Sequence, residues 1–360
     1  MDFFVQLNQF LDTFPITLIE LTHTQDHHHL TLHTNNLLAI PHNTLRKSYP
    51  VISKRFLSLC HQTTHSQDQE VLLLSRFLLI QNPDHLTALS TRRKILKQGT
   101  LNTSSLLAKE LTLTKLLLSI TSHAKSSALW FHRRWVLHQL FPPSYSVSTP
   151  AAVYQPLANL PVEEMNQELD FNLKACDAYP RNYYAWFHRK WALYQLLHVV
   201  SLATPNELLT KERHSLLNFI TLHPRDHSAI NYIQSFLKLS TSPSSSPNDQ
   251  FIADCYAVLA EYPHYETAWA LLKSVSLTNN YHSIALLHAS STTSKLLFSL
   301  ASNPSLPFSH DYSSSTSPNT MTTTTLAQQH SLNHQRSLIL CLRTLYLLGC
   351  HSVTDYFWFF

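Results

Sequence analysis

One phrase is written twice in this chain. Ala-Leu-Trp-Phe-His-Arg-Arg-Trp occupies Ala128 to Trp135, and Ala-Trp-Phe-His-Arg-Lys-Trp occupies Ala185 to Trp191. Two copies 56 residues apart, in a sequence holding six Trp, are not an accident of composition. Self-similarity at a period of roughly 40 to 55 residues marks a stack of helical hairpins. A stack of that kind binds along one face and rarely holds chemistry by itself.

The rest of the period follows from the first Trp of each phrase, taken as an anchor. Pro stands six residues before the anchor and Ala one residue before it, as in Pro180 and Ala185 with Trp186. The same frame fits Pro83 and Ala88 with Leu89, Pro224 and Ala229 with Ile230, and Pro263 and Ala268 with Trp269. The anchors Leu89, Trp130, Trp186, Ile230 and Trp269 are therefore spaced by 41, 56, 44 and 39 residues. Within each unit Pro ends the preceding helix, because it lacks an N–H and clashes with the previous turn. Ser126, Asn182 and Asp226, four before their anchors, offer side-chain oxygens that can cap the next helix. Trp186, Arg189, Lys190 and Leu193 then fall on one helical face. Leu106, Leu107, Leu111 and Leu113, and in the next unit Leu169, Leu173 and Ala175, supply the apolar stripe of the partner helix. The predicted fold is all-α: a crescent-shaped, right-handed α–α superhelix, a solenoid of tandem hairpins.

Composition removes several alternatives. Gly occurs only at Gly99 and Gly349, so no phosphate-cradling Gly-rich loop can be built. The net charge is +4 with no dense Lys/Arg run, and nothing calls for nucleic acid. Five Cys (Cys60, Cys176, Cys255, Cys341, Cys350) include no C-x-x-C pair, which fits a reducing compartment. The start, Met1-Asp2-Phe3-Phe4, has no basic region of a signal peptide. The longest apolar run, Val71 to Ile80, is interrupted and too short to cross a bilayer. A cytoplasmic location is the resulting expectation.

Three regions are predicted. Residues 1–64 form an N-terminal helical or irregular segment with a His-rich stretch around His27-His28-His29. Residues 65–280 hold the five hairpins, with loops at Pro142–Pro161 and Ser240–Asp249. Residues 281–360 form a helical cap containing a Ser/Thr-rich disordered loop at 309–325 and an apolar helix at 331–349. The twenty-four His show no metal-ligand spacing with carboxylates or Cys, so no metal site is expected. No Ser/His/Asp or Cys/His catalytic set can be assembled from repeat positions either.

The frame P-x-[NS]-x-x-A-W-x-x-R resembles the protein prenyltransferase α-subunit repeat. Asn82-Pro83 with Arg92-Arg93, Lys125 with Trp130 and Arg133-Arg134, Asn182-Tyr183 with Trp186 and Arg189, and Pro263-His264 with Trp269 and Lys273 resemble successive repeats in order. The resemblance covers about 215 of the 360 residues. Along Leu78–Leu140 the likeness is closest to the α-like chain of a third kind of protein geranylgeranyltransferase. It implies a non-zinc α-type subunit, inactive alone, wrapped around a β-subunit of the Rab geranylgeranyltransferase type. That β-subunit would hold the catalytic zinc, leaving no cofactor in this chain. Geranylgeranyl diphosphate would be co-substrate, and Cys near the C-terminus of protein substrates would be the acceptors.

Site roles follow from the same resemblance. Lys125, five residues before an anchor, corresponds to the Lys that reaches the isoprenoid diphosphate, where charge builds on the leaving group. The family pattern has Tyr two residues later, where this chain has Ser127, and often His where it has Tyr184. Tyr183, Tyr184, His132 and His188 are expected at the partner interface. Trp130, Trp186 and Trp269 are packing anchors, each contributing roughly 2–3 kcal/mol by burial. Arg133 and Arg189 are expected to bond carbonyls or carboxylates across the repeat interface. The competing reading is a stand-alone α-solenoid scaffold that recognises polypeptides without transferase activity.

Overall fold

The computed structural model describes residues 2–23, 29–60, 65–98, 103–143, 156–200, 205–239, 246–262, 265–268 and 270–271. The expectations for Trp269, for the disordered loop at 309–325 and for the terminal helix at 331–349 fall outside these residues. The chain divides into two compact units, Met1–Pro205 and Asn206–Phe360.

The first unit opens with α1 (Asp2–Thr13) and then a small sheet of β1 (Leu18–Thr22), β2 (Thr31–Leu32) and β3 (Leu37–Pro41). Helices α2 (His42–Cys60), α3 (Asp68–Gln81), α4 (Leu86–Gln98), α5 (Thr103–Ser119), α6 (Ser127–Leu140), α7 (Val162–Ala178) and α8 (Tyr183–Val200) follow. Helices α3 and α4, α5 and α6, and α7 and α8 pack as hairpins. Helix α4 touches α6 and α6 touches α8, while α5 touches α7. The second helices of the hairpins thus form one row and the first helices another. This is the hairpin-repeat architecture that the doubled phrase predicts.

The turns explain why the register holds. Ser126 Oγ accepts from Leu129 N–H at 3.1 Å, and Asn182 Oδ1 accepts from Ala185 N–H at 3.1 Å. His85 takes the same position in the first hairpin, where its Nδ1 accepts from Ala88 N–H at 3.1 Å. Each cap satisfies an N–H that the helix leaves open. The caps also stitch neighbouring turns together. Ser126 Oγ donates to Asp84 at 2.6 Å, and Asn182 Nδ2 donates to the Ala124 carbonyl at 2.7 Å. Anchors Leu89, Trp130 and Trp186 are all buried. Trp130 Nε1 donates to the same Ala124 oxygen at 2.8 Å, so its polar edge is satisfied inside the core.

The N-terminal segment corrects one expectation. It contains a three-stranded sheet of order β1-β3-β2, with β1 parallel and β2 antiparallel to β3. The β2–β3 turn closes through His33 N–H to Leu37 O at 2.9 Å and Asn36 N–H to His33 O at 3.1 Å. Asn36 takes a φ of 60°, a left-handed value that Asn tolerates better than most residues. Ile19, Leu38 and Ile40 are buried, and Ile19 N–H donates to Ser119 Oγ of α5 at 3.3 Å. Strands this short, set among Thr, His and Asn, carry little periodic signal.

The loop between the second and third hairpins is anchored at its ends. Pro143 and Leu157 form an isolated bridge, and Leu157 N–H donates to Gln195 Oε1 of α8 at 2.9 Å.

The second unit contains α9 (Pro205–Leu222), α10 (His227–Leu239) and α11 (Ser246–Ala260). The same local chemistry recurs. Asp226 Oδ1 caps α10 by accepting from Ser228 and Ala229 N–H at 2.8 and 3.0 Å, and the anchor Ile230 is buried. The Ser/Pro-rich stretch expected as a loop through Asp249 is already helical from Ser246, since Pro is accepted in a first helical turn.

Candidate functional site

The interior of the first unit holds a polar device that repeats with the hairpins. Arg92 of α4 donates through Nε to Glu110 Oε1 of α5 at 2.8 Å and through Nη2 to Glu110 Oε2. Its Nη1 reaches the Leu72 carbonyl at 2.6 Å and Ser75 Oγ at 2.7 Å. One repeat on, Arg133 of α6 holds Glu168 of α7 with bonds of 2.6 and 2.7 Å. Arg133 Nη1 also reaches the Leu111 carbonyl at 2.7 Å and Thr114 Oγ1 at 2.9 Å. Each Arg therefore ties its own hairpin together and grips the first helix of the next. Two-pronged pairing of this kind satisfies both carboxylate oxygens.

A His completes each clamp. His132 Nε2 lies 2.7 Å from Glu110 Oε1, and His188 Nε2 lies 2.8 Å from Glu168 Oε1. A carboxylate only accepts, so Nε2 carries the proton in both rings. His132 Nδ1 then accepts from Arg93 Nε at 3.1 Å. Both imidazoles are fully buried. This corrects the expectation that His132 and His188 face a partner: a buried carboxylate demands a donor, and the His supplies it. In the second unit Tyr232 occupies the same register position and donates to Glu212 at 2.7 Å.

The charges follow from these contacts. Burial alone would raise the Glu168 carboxyl, but the Arg133 guanidinium and the bonds from His188 and Arg133 hold it well below the usual carboxylate range. Glu110 is held down in the same way against its burial by Arg92 and His132. Burial lowers His132 and His188 despite the pull of their carboxylates, and burial pushes His123 down to about 4. The sign of the pH dependence is then set. A His with a lowered folded value adds stability above its ordinary 6.5 that is lost as pH falls below it. A carboxylate with a lowered folded value adds stability above its ordinary 4.5 that is lost on further acidification. The urea midpoint of the protein is therefore expected to fall as pH drops below about 6.5 and again below about 4.5. A midpoint that stays level from pH 7 to pH 4 contradicts the buried clamps.

The surface of the second-helix row is chemically distinct. Leu86 (67%), Phe131 (52%), Tyr183 (53%) and Tyr184 (41%) stand exposed to solvent, an unusual concentration of large apolar side chains. They belong to the first two turns of α4, α6 and α8. The Arg93 guanidinium lies 5.0 Å from the Phe131 ring centre, and that of Arg134 lies 4.7 Å from Phe187. Tyr183 meets Tyr184 edge-on at 5.5 Å and stacks toward Phe187 at 6.3 Å. Leu86, Arg93, Ser127, Ala128, Phe131, Arg134, Tyr183, Tyr184 and Phe187 line one open depression of about 520 Å³. No Asp or Glu is among them. Sequence reasoning gave the two tyrosines a place at an interface but assigned none to Arg93, Phe131, Arg134 and Phe187, though all four stand in the repeats it read. Helical spacing carries the signal, since Ser127, Phe131 and Arg134 fall at i, i+4 and i+7, and Tyr183 and Phe187 at i and i+4.

The remaining predicted residues sit as follows. Lys125 precedes α6, and its Nζ lies 4.3 Å over the Tyr179 ring, away from the lining of the depression. Arg189 Nη1 donates to the Leu169 carbonyl at 2.6 Å. A second cavity of about 660 Å³ lies beside β1, with His23, His42 and His123 in its wall. Among the described residues no group of three His, Cys, Asp or Glu could hold a metal ion. No described helix is long and apolar enough to cross a membrane.

Stacked hairpins, joined by buried Arg–Glu–His clamps and presenting an aromatic and guanidinium row, define an α-helical repeat protein. The sequence signature described as protein prenyltransferase alpha subunit repeat matches residues 107–140 and 165–196, which are the α5–α6 and α7–α8 hairpins. The chain carries the repeat of the protein prenyltransferase alpha subunits. It is 36% identical over 174 residues to human "Protein prenyltransferase alpha subunit repeat-containing protein 1", covering 47% of this chain and 40% of that protein. It is 30% identical over 257 residues to the zebrafish (Danio rerio) protein of that name, covering 61% of this chain and 57% of the relative. A Xenopus laevis relative, repeat-containing protein 1-B, is 29% identical over 211 residues, covering 56% of this chain and 45% of its own length. The chain spans about half the length of the curated relatives it matches.

Proposed function

We propose that this chain is the α-type, non-zinc subunit of a heterodimeric, cytoplasmic protein geranylgeranyltransferase. Its partner is a β-subunit of the Rab geranylgeranyltransferase type, which supplies the zinc and most of the active site. The complex transfers a geranylgeranyl group from its diphosphate to Cys thiols near the C-terminus of protein substrates. The observation that carries this reading is the row of exposed Phe131, Tyr183 and Tyr184 on the matched hairpins, with Arg134 beside them in the same depression. Large rings and Arg are the residues that dominate protein interfaces, and here they are held on rigid, clamped helices.

The test is co-expression with that β-subunit. A one-to-one complex that forms thioether product from geranylgeranyl diphosphate and a Cys-terminal acceptor supports the reading, with no product from either chain alone. Failure of any complex to form contradicts it. Within the complex, Lys125 at the α6 entrance is assigned to the diphosphate. Exchanging Lys125 for Ala is expected to lower kcat by about 10-fold or more while assembly is unchanged; normal turnover removes Lys125 from the mechanism. One observation favours a scaffold without chemistry. The Lys125 ammonium already has an aromatic partner in Tyr179. A stable complex with no transfer would select that reading.

A further inference from the structure

The tandem arginines divide their work. Arg92 and Arg133 turn inward, and each takes a carboxylate in a two-pronged grip. The next residues, Arg93 and Arg134, line the open depression instead. Arg93 is half-buried, with its Nε committed to His132 and its guanidinium lying on Phe131. Among the described residues no carboxylate stands within ion-pair distance of Arg93. Burial lowers its pKa with no acidic neighbour to offset the cost. Two guanidinium groups thus share one depression whose other walls are Leu86, four aromatic rings, Ser127 and Ala128, and whose lining includes no acid. For Arg93, half-buried with no carboxylate beside it, an arriving anion offsets the cost of that partial burial.

The shape of that charge selects the anion. Guanidinium is planar and presents paired N–H groups that match a carboxylate. No lysine lines the depression, and its walls are mainly ring faces and Leu86, which would leave a phosphate poorly solvated. Apolar side chains on either side of the anion would instead cover Phe131, Tyr183 and Phe187. We propose that this depression seats an Asp or Glu side chain of the partner polypeptide, flanked by apolar residues that close over the aromatic walls. The inference rests on the reading that the second-helix row holds a partner subunit, and it names the chemistry by which that partner is recognised.

The experiment uses the full chain with the Rab-type β-subunit. Three variants are compared with wild type: Arg93→Glu, Arg134→Glu, and Tyr184→Glu, which adds a repelling carboxylate at an exposed position. Each is expected to weaken Kd by at least about 30-fold, the loss typical of a desolvated charge pair. The thermal midpoint of free Tyr184→Glu should match wild type, so that variant keeps the test valid if either arginine exchange fails to fold. In the assembled complex, Arg134→Lys treated with a carbodiimide should couple the introduced lysine to an Asp or Glu of the β-subunit. If wild type binds and Tyr184→Glu and the folded arginine variants bind as tightly, the carboxylate anchor is wrong and the α-subunit reading stands. Coupling of the introduced lysine to nothing in an intact complex is equally contrary. If wild type does not bind the β-subunit, both readings fall together.

Discussion

Replacing Arg133 with Ala is expected to cost the first unit about 3–5 kcal/mol of folding free energy. The cost does not come mainly from the lost attraction. Glu168 is buried at 3% exposure, and without Arg133 its carboxylate keeps only the His188 N–H. The Leu111 carbonyl and Thr114 hydroxyl lose a donor in the same step. A charge stranded in the interior is what destabilises. The control follows from that argument. Exchanging Arg133 for Met and Glu168 for Leu together removes both charges, and the double variant should lie within about 2 kcal/mol of wild type. Urea midpoints of the two proteins decide the matter. A single variant costing less than about 1 kcal/mol would mean that the pair is solvated and that the hairpins are not clamped by it.

Trp130 exchanged for Ala carries the other large effect, about 3–5 kcal/mol. The indole is buried, packs 5.9 Å from Phe171 and 4.9 Å from His188, and so fills the seam between the second and third hairpins. Truncation leaves a cavity lined by groups from three helices, and a clamped seam can close over it only in part. Trp130 exchanged for Phe retains most of that volume and drops only the bond to Ala124. Its cost should be about 1–2 kcal/mol. The Ala124 oxygen still accepts from Asn182. Equal losses for the two exchanges would mean that the hydrogen bond, and not the packing, sets the contribution.

The hairpins, their anchors and their caps were readable because they depend on local chemistry. Pro ends a helix, a side-chain oxygen three residues before an Ala opens the next, and an apolar plug follows. The clamps were half legible. An Arg three residues after the anchors Leu89, Trp130 and Trp186 announces a repeated polar partner, and a carboxylate or carbonyl of a neighbouring helix was the expected one. Which carboxylate it meets depends on how hairpins stack. Glu110 lies 18 residues from Arg92, but Glu168 lies 35 from Arg133, because the loop before α7 differs in length. The two His were misplaced for a related reason. A polar ring is presumed exposed until its buried acceptor is known, and that acceptor sits on another helix. Phe131 and Phe187 were hidden in plain view, one residue after anchors whose burial drew attention from the neighbouring face. The sheet at β1–β3 was illegible because five-residue strands in a Thr- and His-rich stretch lack a distinctive period.

The most direct test of the account is amide hydrogen exchange on the full chain, free and in complex with a Rab-type β-subunit. Binding is expected to slow exchange across the first turns of α6 and α8, over residues 127–134 and 183–187, and to leave the exposed faces of α1 and α2 unchanged. Protection confined to α1 and α2, or a tight complex with no change at 127–134 and 183–187, would contradict it.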